Sequence, residues 1–135
     1  MANSRIRSSN PKGIAAPIRP YYSNVVRAEA GPLVFVAGQT ALGEDGKPVH
    51  VGDPGAQCEF VLNAIKTLLA VEGATMADVV KVTVYVTDIR FLDAIKPARL
   101  KHWPEGGPAS AIVEVSNLAY PELLVEIEAV AAPAK

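Results

Sequence analysis

The chain has one cysteine, one tryptophan and two histidines in 135 residues, and each scarcity removes a class of protein. With Cys58 alone there is no intrachain disulfide framework and no cysteine-based zinc site. His50 and His102 lie far apart in sequence without a Cys or His at ligand spacing, so no metal site is expected. No apolar run approaches the roughly 20 residues that a membrane-spanning helix needs. The opening MANSRIRSSN lacks the apolar core of a secretory signal. A soluble, cytoplasmic protein that does not engage a membrane is the expectation. Acid is missing as well: residues 1–28 contain Arg5, Arg7, Lys12, Arg19 and Arg27 and no Asp or Glu, against eight basic and fourteen acidic groups in the remainder. Five charges spread over that length make no dense phosphate-binding patch. With aromatics at 6%, no basic groove interleaved with stacking side chains is visible, which argues against a nucleic-acid partner.

What is present is apolar. A chain this short is expected to form one domain, over residues 14–135, preceded by a polar, flexible N-terminal arm over 1–13. Half of its residues are hydrophobic, somewhat more than a small monomer needs, which hints at a subunit interface.

The run Leu33–Val36 reads as a buried strand ended by Gly38, and GEDG at 43–46 as a turn. Asp53 is a natural N-cap, Pro54 suits a first helical position and Gly73 suits a helix end. Between them Val61, Ile65, Leu68 and Leu69 recur at helical spacing. Thr75-Met76-Ala77-Asp78 has the form of a capping box. In 79–87, Val80, Val82, Val84 and Val86 alternate with Lys81, Thr83, Tyr85 and Thr87, a strand with one face on the core. A second helix is expected over about Asp93–Trp103, with Pro97 in its first turn. Strands at Ala111–Val115 and Leu123–Ala131 follow.

The order β-β-α-β-α-β-β predicts an α+β fold, a sheet with both helices on one face. The other face then needs cover, and oligomerisation is the simplest cover.

Several stretches stand in the order of a known family: Pro20-Tyr21, Ala37-Gly38-Gln39, VVKVTVYVTDI from Val79, Pro108-Ala109 with Val113-Glu114-Val115, and Val125-Glu126-Ile127-Glu128-Ala129. Over roughly residues 15–131 the chain resembles the Rid (YjgF-like) family, the reactive-intermediate imine deaminases also described as endoribonuclease L-PSP. The resemblance implies a chorismate-mutase-like unit and a homotrimer with an inner β-barrel, outer helices and three intersubunit clefts. Enzymatic members hydrolyse imines and enamines to ammonia and a 2-keto acid without metal or organic cofactor.

Carried over by position, Glu126 corresponds to the glutamate that holds the attacking water, Tyr21 to a tyrosine lining the cleft, and Ala37-Gly38 to the segment offering a backbone amide. Ser110 stands where enzymatic relatives carry an arginine that grips the substrate carboxylate, and Ile112 stands in place of the family's cysteine. That departure favours a ligand that is neutral or carries its charge elsewhere. Lys96 or Arg99 on the second helix is a candidate replacement cation, although both also read as a solvated helix face. Glu126 by itself reads equally as an exposed strand carboxylate, Tyr21 as a packing group with a polar handle, and Gly38 as a strand-ending glycine. Cys58 reads as a core residue and Trp103 as a core or interface anchor. Three functions follow: hydrolysis of small imine, enamine or carbonyl metabolites; non-catalytic ligand binding by a regulatory trimer; and, with least support, RNA cleavage.

Overall fold

The computed structural model describes residues 3–134. Eight elements form two sheets and a helical layer: β1 (Ile6–Ser9), β2 (Val25–Ala28), β3 (Val34–Thr40), α1 (Pro54–Val71), β4 (Val79–Val86), α2 (Leu92–His102), β5 (Ala109–Glu114) and β6 (Val125–Ala131). The main sheet has the order β3-β6-β4-β5, and β1 pairs with β2 in a separate ribbon. Strands β4 and β5 run parallel, joined by the α2 crossover, while β6 pairs antiparallel with both β3 and β4.

Alternation decides which way the sheet faces. Val82, Val84 and Val86 of β4 and Val125, Ile127 and Ala129 of β6 are buried against the helices. There they meet Val61, Leu62, Ile65 and Leu69 of α1 and Ile95 of α2 in one cluster. Each fully buried Leu or Ile contributes about 2 kcal/mol by removal from water. The β4 alternation begins later than expected: Val79 is buried and Val80 only half so, because the pairing with β6 shifts between Val79 and Lys81. The other face carries Phe35, Lys81, Thr83, Tyr85, Val113, Glu126 and Glu128, and Phe35 there is 73% exposed. No element among the described residues covers Phe35 there.

Helix α1 begins and ends as its punctuation predicts. Asp53 accepts from the Ala56 amide at 3.0 Å, Pro54 is the first residue, and Gly73 takes φ +71° just past the end. The capping box at Thr75–Asp78 closes a single 3-10 turn, the Asp78 carboxylate accepting from the Thr75 amide at 2.8 Å.

Three local expectations are corrected. Residues 6–9 are not a free arm. They form β1, and Asn3 donates to Asp78 at 2.8 Å and to the Ala132 carbonyl at 2.7 Å. Arg5, 7% exposed, donates to the carbonyls of Glu29, Pro32 and Pro133. Backbone pairing and one arginine hold this segment, so it shows no hydrophobic period. Met1 and Ala2 of the expected arm lie outside the described residues. Gly38 does not end its strand but sits inside β3, where the pairing with β6 shifts between Val36 and Gln39. Pro97 lies in the second turn of α2 rather than the first, because a 3-10 turn at Ile89–Phe91 leads into a helix that starts at Leu92.

Candidate functional site

Tyr21 is held at the sheet both by its ring, which packs into the buried core cluster, and by backbone bonds of the residues around it. Ser23 donates its amide to the Pro108 carbonyl (3.1 Å) and its hydroxyl to the Gly107 carbonyl (2.7 Å). A Cβ on Gly107 would overlap the Tyr21 carbonyl, so only glycine lets the two segments lie so close. The Gly106-Gly107-Pro108 cluster, just past the end of α2, therefore docks the Tyr21 segment beside the start of β5.

Ser110 and Ile112 lie level with Val82 and Val84 of β4, on the helix side of the sheet. There Tyr21, Tyr22, Ser110 and Ile112 line a cavity of about 260 Å³ with Arg99 of α2. Ile18, Arg19, Leu92 and Asp93 complete its wall. The Arg99 guanidinium donates from Nη2 to Ser110 Oγ at 2.8 Å and lies 4.3 Å from the centre of the Tyr21 ring.

Arg99 is the residue the sequence undervalued. It is not on a solvated face: it is 3% exposed. No carboxylate among the described residues lies within ion-pair distance, and its Nε is buried without a hydrogen-bond partner. Burial pulls its pKa down from the ordinary value, opposed by Tyr21, Cys58 and Tyr22, but a guanidinium remains protonated at any physiological pH. Lys96, the other candidate, is half-buried on α2 and does not line the cavity. The signal that separates them is the α2 burial pattern: Ile95, Ala98 and Arg99 form its buried set.

The remaining candidates assemble elsewhere. Glu126 lies level with Tyr85 of β4 and Thr40 of β3, on the open face of the sheet. Its carboxylate rests over Gly38, where a Cβ would overlap Oε2. Ala37 lines a broad neighbouring depression of about 410 Å³ with Phe35, Lys81, Thr83 and Glu128. Tyr85 donates to Glu128 at 2.9 Å within the same face. One chain thus holds the candidates in two separate groups: Tyr21, Ser110, Ile112 and Arg99 on the helix side, and Glu126, Gly38 and Ala37 on the open side.

Cys58 is fully buried, and burial pushes its thiol up to about 12, which leaves no thiolate for nucleophilic work. Trp103 is a core anchor, 4% exposed, its indole donating to the Met76 carbonyl at 2.9 Å. Among the described residues no group of three His, Cys, Asp or Glu is placed to hold a metal, and no helix is long and apolar enough to cross a membrane.

Comparison with known proteins gives this arrangement a lineage. Residues 13–133 match the family model described as Endoribonuclease L-PSP. The 3-aminoacrylate deaminase RutC of Acinetobacter baylyi is 36% identical over 121 residues, which cover 90% of this chain and 93% of that protein. A RutC family protein of Pyrococcus abyssi is 36% identical over 115 residues, covering 85% of this chain and 87% of its own. Among solved structures, a Rid-family protein of unknown function from Yersinia pestis superposes with a TM-score of 0.86 at 34% identity, covering 94% of this chain and 98% of that one. The fold is therefore the one these proteins share, and the chain belongs to the Rid (YjgF-like) family, also described as endoribonuclease L-PSP.

Proposed function

We propose that the protein hydrolyses small imine or enamine metabolites, releasing ammonia and a carbonyl product, in clefts completed between copies of a cytoplasmic homotrimer. The observation that carries this reading is the meeting of Tyr21, Ser110 and Ile112, from segments far apart in the chain, around one cavity of about 260 Å³. A relative named as a 3-aminoacrylate deaminase supports the reaction class.

In the proposed reaction, water adds to the carbon of a C=N bond and nitrogen leaves as ammonia after taking up protons. Such a step needs a held water and a route for protons. Glu126 serves both, with the Gly38 amide orienting the ligand. Glu126 faces away from its own chain's cavity, so a neighbouring copy completes the site. The uncovered sheet face, with Phe35 73% exposed and Val113 42% exposed, is the surface on which copies would meet.

Ammonia release from freshly generated 2-iminobutanoate tests the reading. Wild type should accelerate release and Glu126→Gln should lose most of that rate; equal rates in the two would overturn the catalytic assignment. A second reading, ligand binding without turnover, is favoured by one observation: no carboxylate stands with Tyr21 and Ser110 except Asp93 in the cavity wall, which is exposed. RNA cleavage draws no support from the cavity, whose volume suits a small metabolite.

A further inference from the structure

We infer that the ligand of this cavity is a small organic carboxylate, and that Arg99 from α2 is the group that recognises its charge. The inference rests on the reading of the cavity as the ligand site and names what that site takes.

A buried guanidinium is expected to be paired, since an unpaired charge away from water is costly. Arg99 is 97% removed from solvent by its 3% exposure, yet among the described residues it has one side-chain hydrogen bond and no acid. Nε has no partner among the described residues. The Tyr21 ring beneath the guanidinium plane stabilises a cation without consuming an N–H. Ser110 takes one donor and, as a hydroxyl, keeps its own hydrogen to offer onward. The side chain is thus held in position with unused donors beside a cavity, and a planar fork of donors matches a carboxylate in two parallel hydrogen bonds. Arg19 and Asp93, in the same wall, carry opposite charges, so Arg99 leaves the lining with one net positive charge. The rest of the wall selects the tail: Ile18, Leu92 and Ile112 offer apolar surface, so the acid carries an aliphatic or aromatic substituent rather than a second charge.

The geometry also explains Ser110. The guanidinium enters from α2 and occupies the space beside β5, within 2.8 Å of Oγ. A long cation at position 110 would meet Arg99 head on, so the two positions hold one guanidinium between them.

Titration calorimetry on the full chain, with 2-oxobutanoate and the uncharged 2-oxobutanamide, tests this. Wild type should prefer the acid by at least about thirtyfold, and Arg99→Leu should erase that preference. The Arg99→Leu protein should melt at the wild-type temperature or above, because the substitution removes an uncompensated buried charge. Arg99→Lys should keep a partial preference, and the double variant Arg99→Ala with Ser110→Arg should restore it. Equal binding of acid and amide by wild type, or binding of neither, overturns the inference. So does an acid preference that survives Arg99→Leu, or an Arg99→Leu chain that fails to fold, which would make the cation structural. Acid preference without imine hydrolysis would remove the proposed catalysis and leave the inference standing; hydrolysis indifferent to the carboxylate would do the reverse.

Discussion

Two arginines are buried in this protein, Arg5 at 7% exposure and Arg99 at 3%, and they are held in opposite ways. Arg5 spends its donors on three backbone carbonyls, those of Glu29, Pro32 and Pro133, and so ties the N-terminal ribbon to the loop before β3 and to the end of β6. Arg99 has one hydroxyl, one aromatic ring and a buried Nε without a partner among the described residues, and its side chain lines a cavity. Burial alone would rank them together. Hydrogen-bond saturation separates a clamp from a group waiting for a partner, because a saturated cation stabilises the fold and an unsaturated one stores a cost that a ligand offsets.

The comparison breaks most readily at Arg5. Arg5→Leu should cost about 3 kcal/mol or more, since it strands carbonyls that accept from a charged group. Urea denaturation measures this, and an unchanged midpoint would mean that the clamp is ornamental. Gly107→Ala should come next, at about 1–3 kcal/mol, because its methyl collides with the Tyr21 backbone. It should weaken ligand binding as well, by displacing the Tyr21 ring from beneath Arg99. Arg99→Leu stands at the opposite pole, with stability unchanged or raised by about 1 kcal/mol; a loss comparable to that of Arg5→Leu would erase the distinction.

The smallest effect concerns His102. Its side chain is 6% exposed, and burial lowers its pKa from 6.5, opposed by Glu59 at 3.8 Å. The unfolded chain then binds a proton near pH 6.5 that the folded chain refuses until lower pH. Stability therefore rises with pH through the window just below 6.5 and is lost as pH falls through it. Melting curves between pH 7.5 and about 5.5 should show this decline, and His102→Gln should flatten it. A decline of equal size in the variant would assign it to other groups. Glu59, whose pKa is lowered chiefly by its hydrogen bond from Lys101, acts in a separate, more acidic window below 4.5.

The elements that were legible in sequence carry their own signals. Asp53, Pro54 and Gly73 mark α1 without help from the rest of the chain, and the alternation from Val82 to Val86 states which face of β4 is buried. The β1 strand was not legible, because neither its backbone pairing with β2 nor the Arg5 carbonyl bonds leave a periodic pattern. The bulge that keeps Gly38 inside β3 is a pairing event, set by β6 as much as by β3. In the site, Tyr21, Ser110 and Ile112 were named from resemblance and do share a cavity, whereas Glu126, Gly38 and Ala37 stand together on the other face of the sheet. Lys96 and Arg99 could not be ranked from sequence, since only two residues of helix lie between one half-buried amine and a nearly inaccessible guanidinium.

By itself the sequence determined both helices, the strands of the main sheet, its buried face and the family, because caps, periods and ordered motifs are local and survive without coordinates. Only the tertiary structure decided which cation enters the cavity, what it lacks, and on which side of the sheet Glu126 stands. Those are matters of distance between segments far apart in the chain. The Gly107–Tyr21 approach, the α2 crossover and the β4–β6 register set them, and no one segment encodes any of the three.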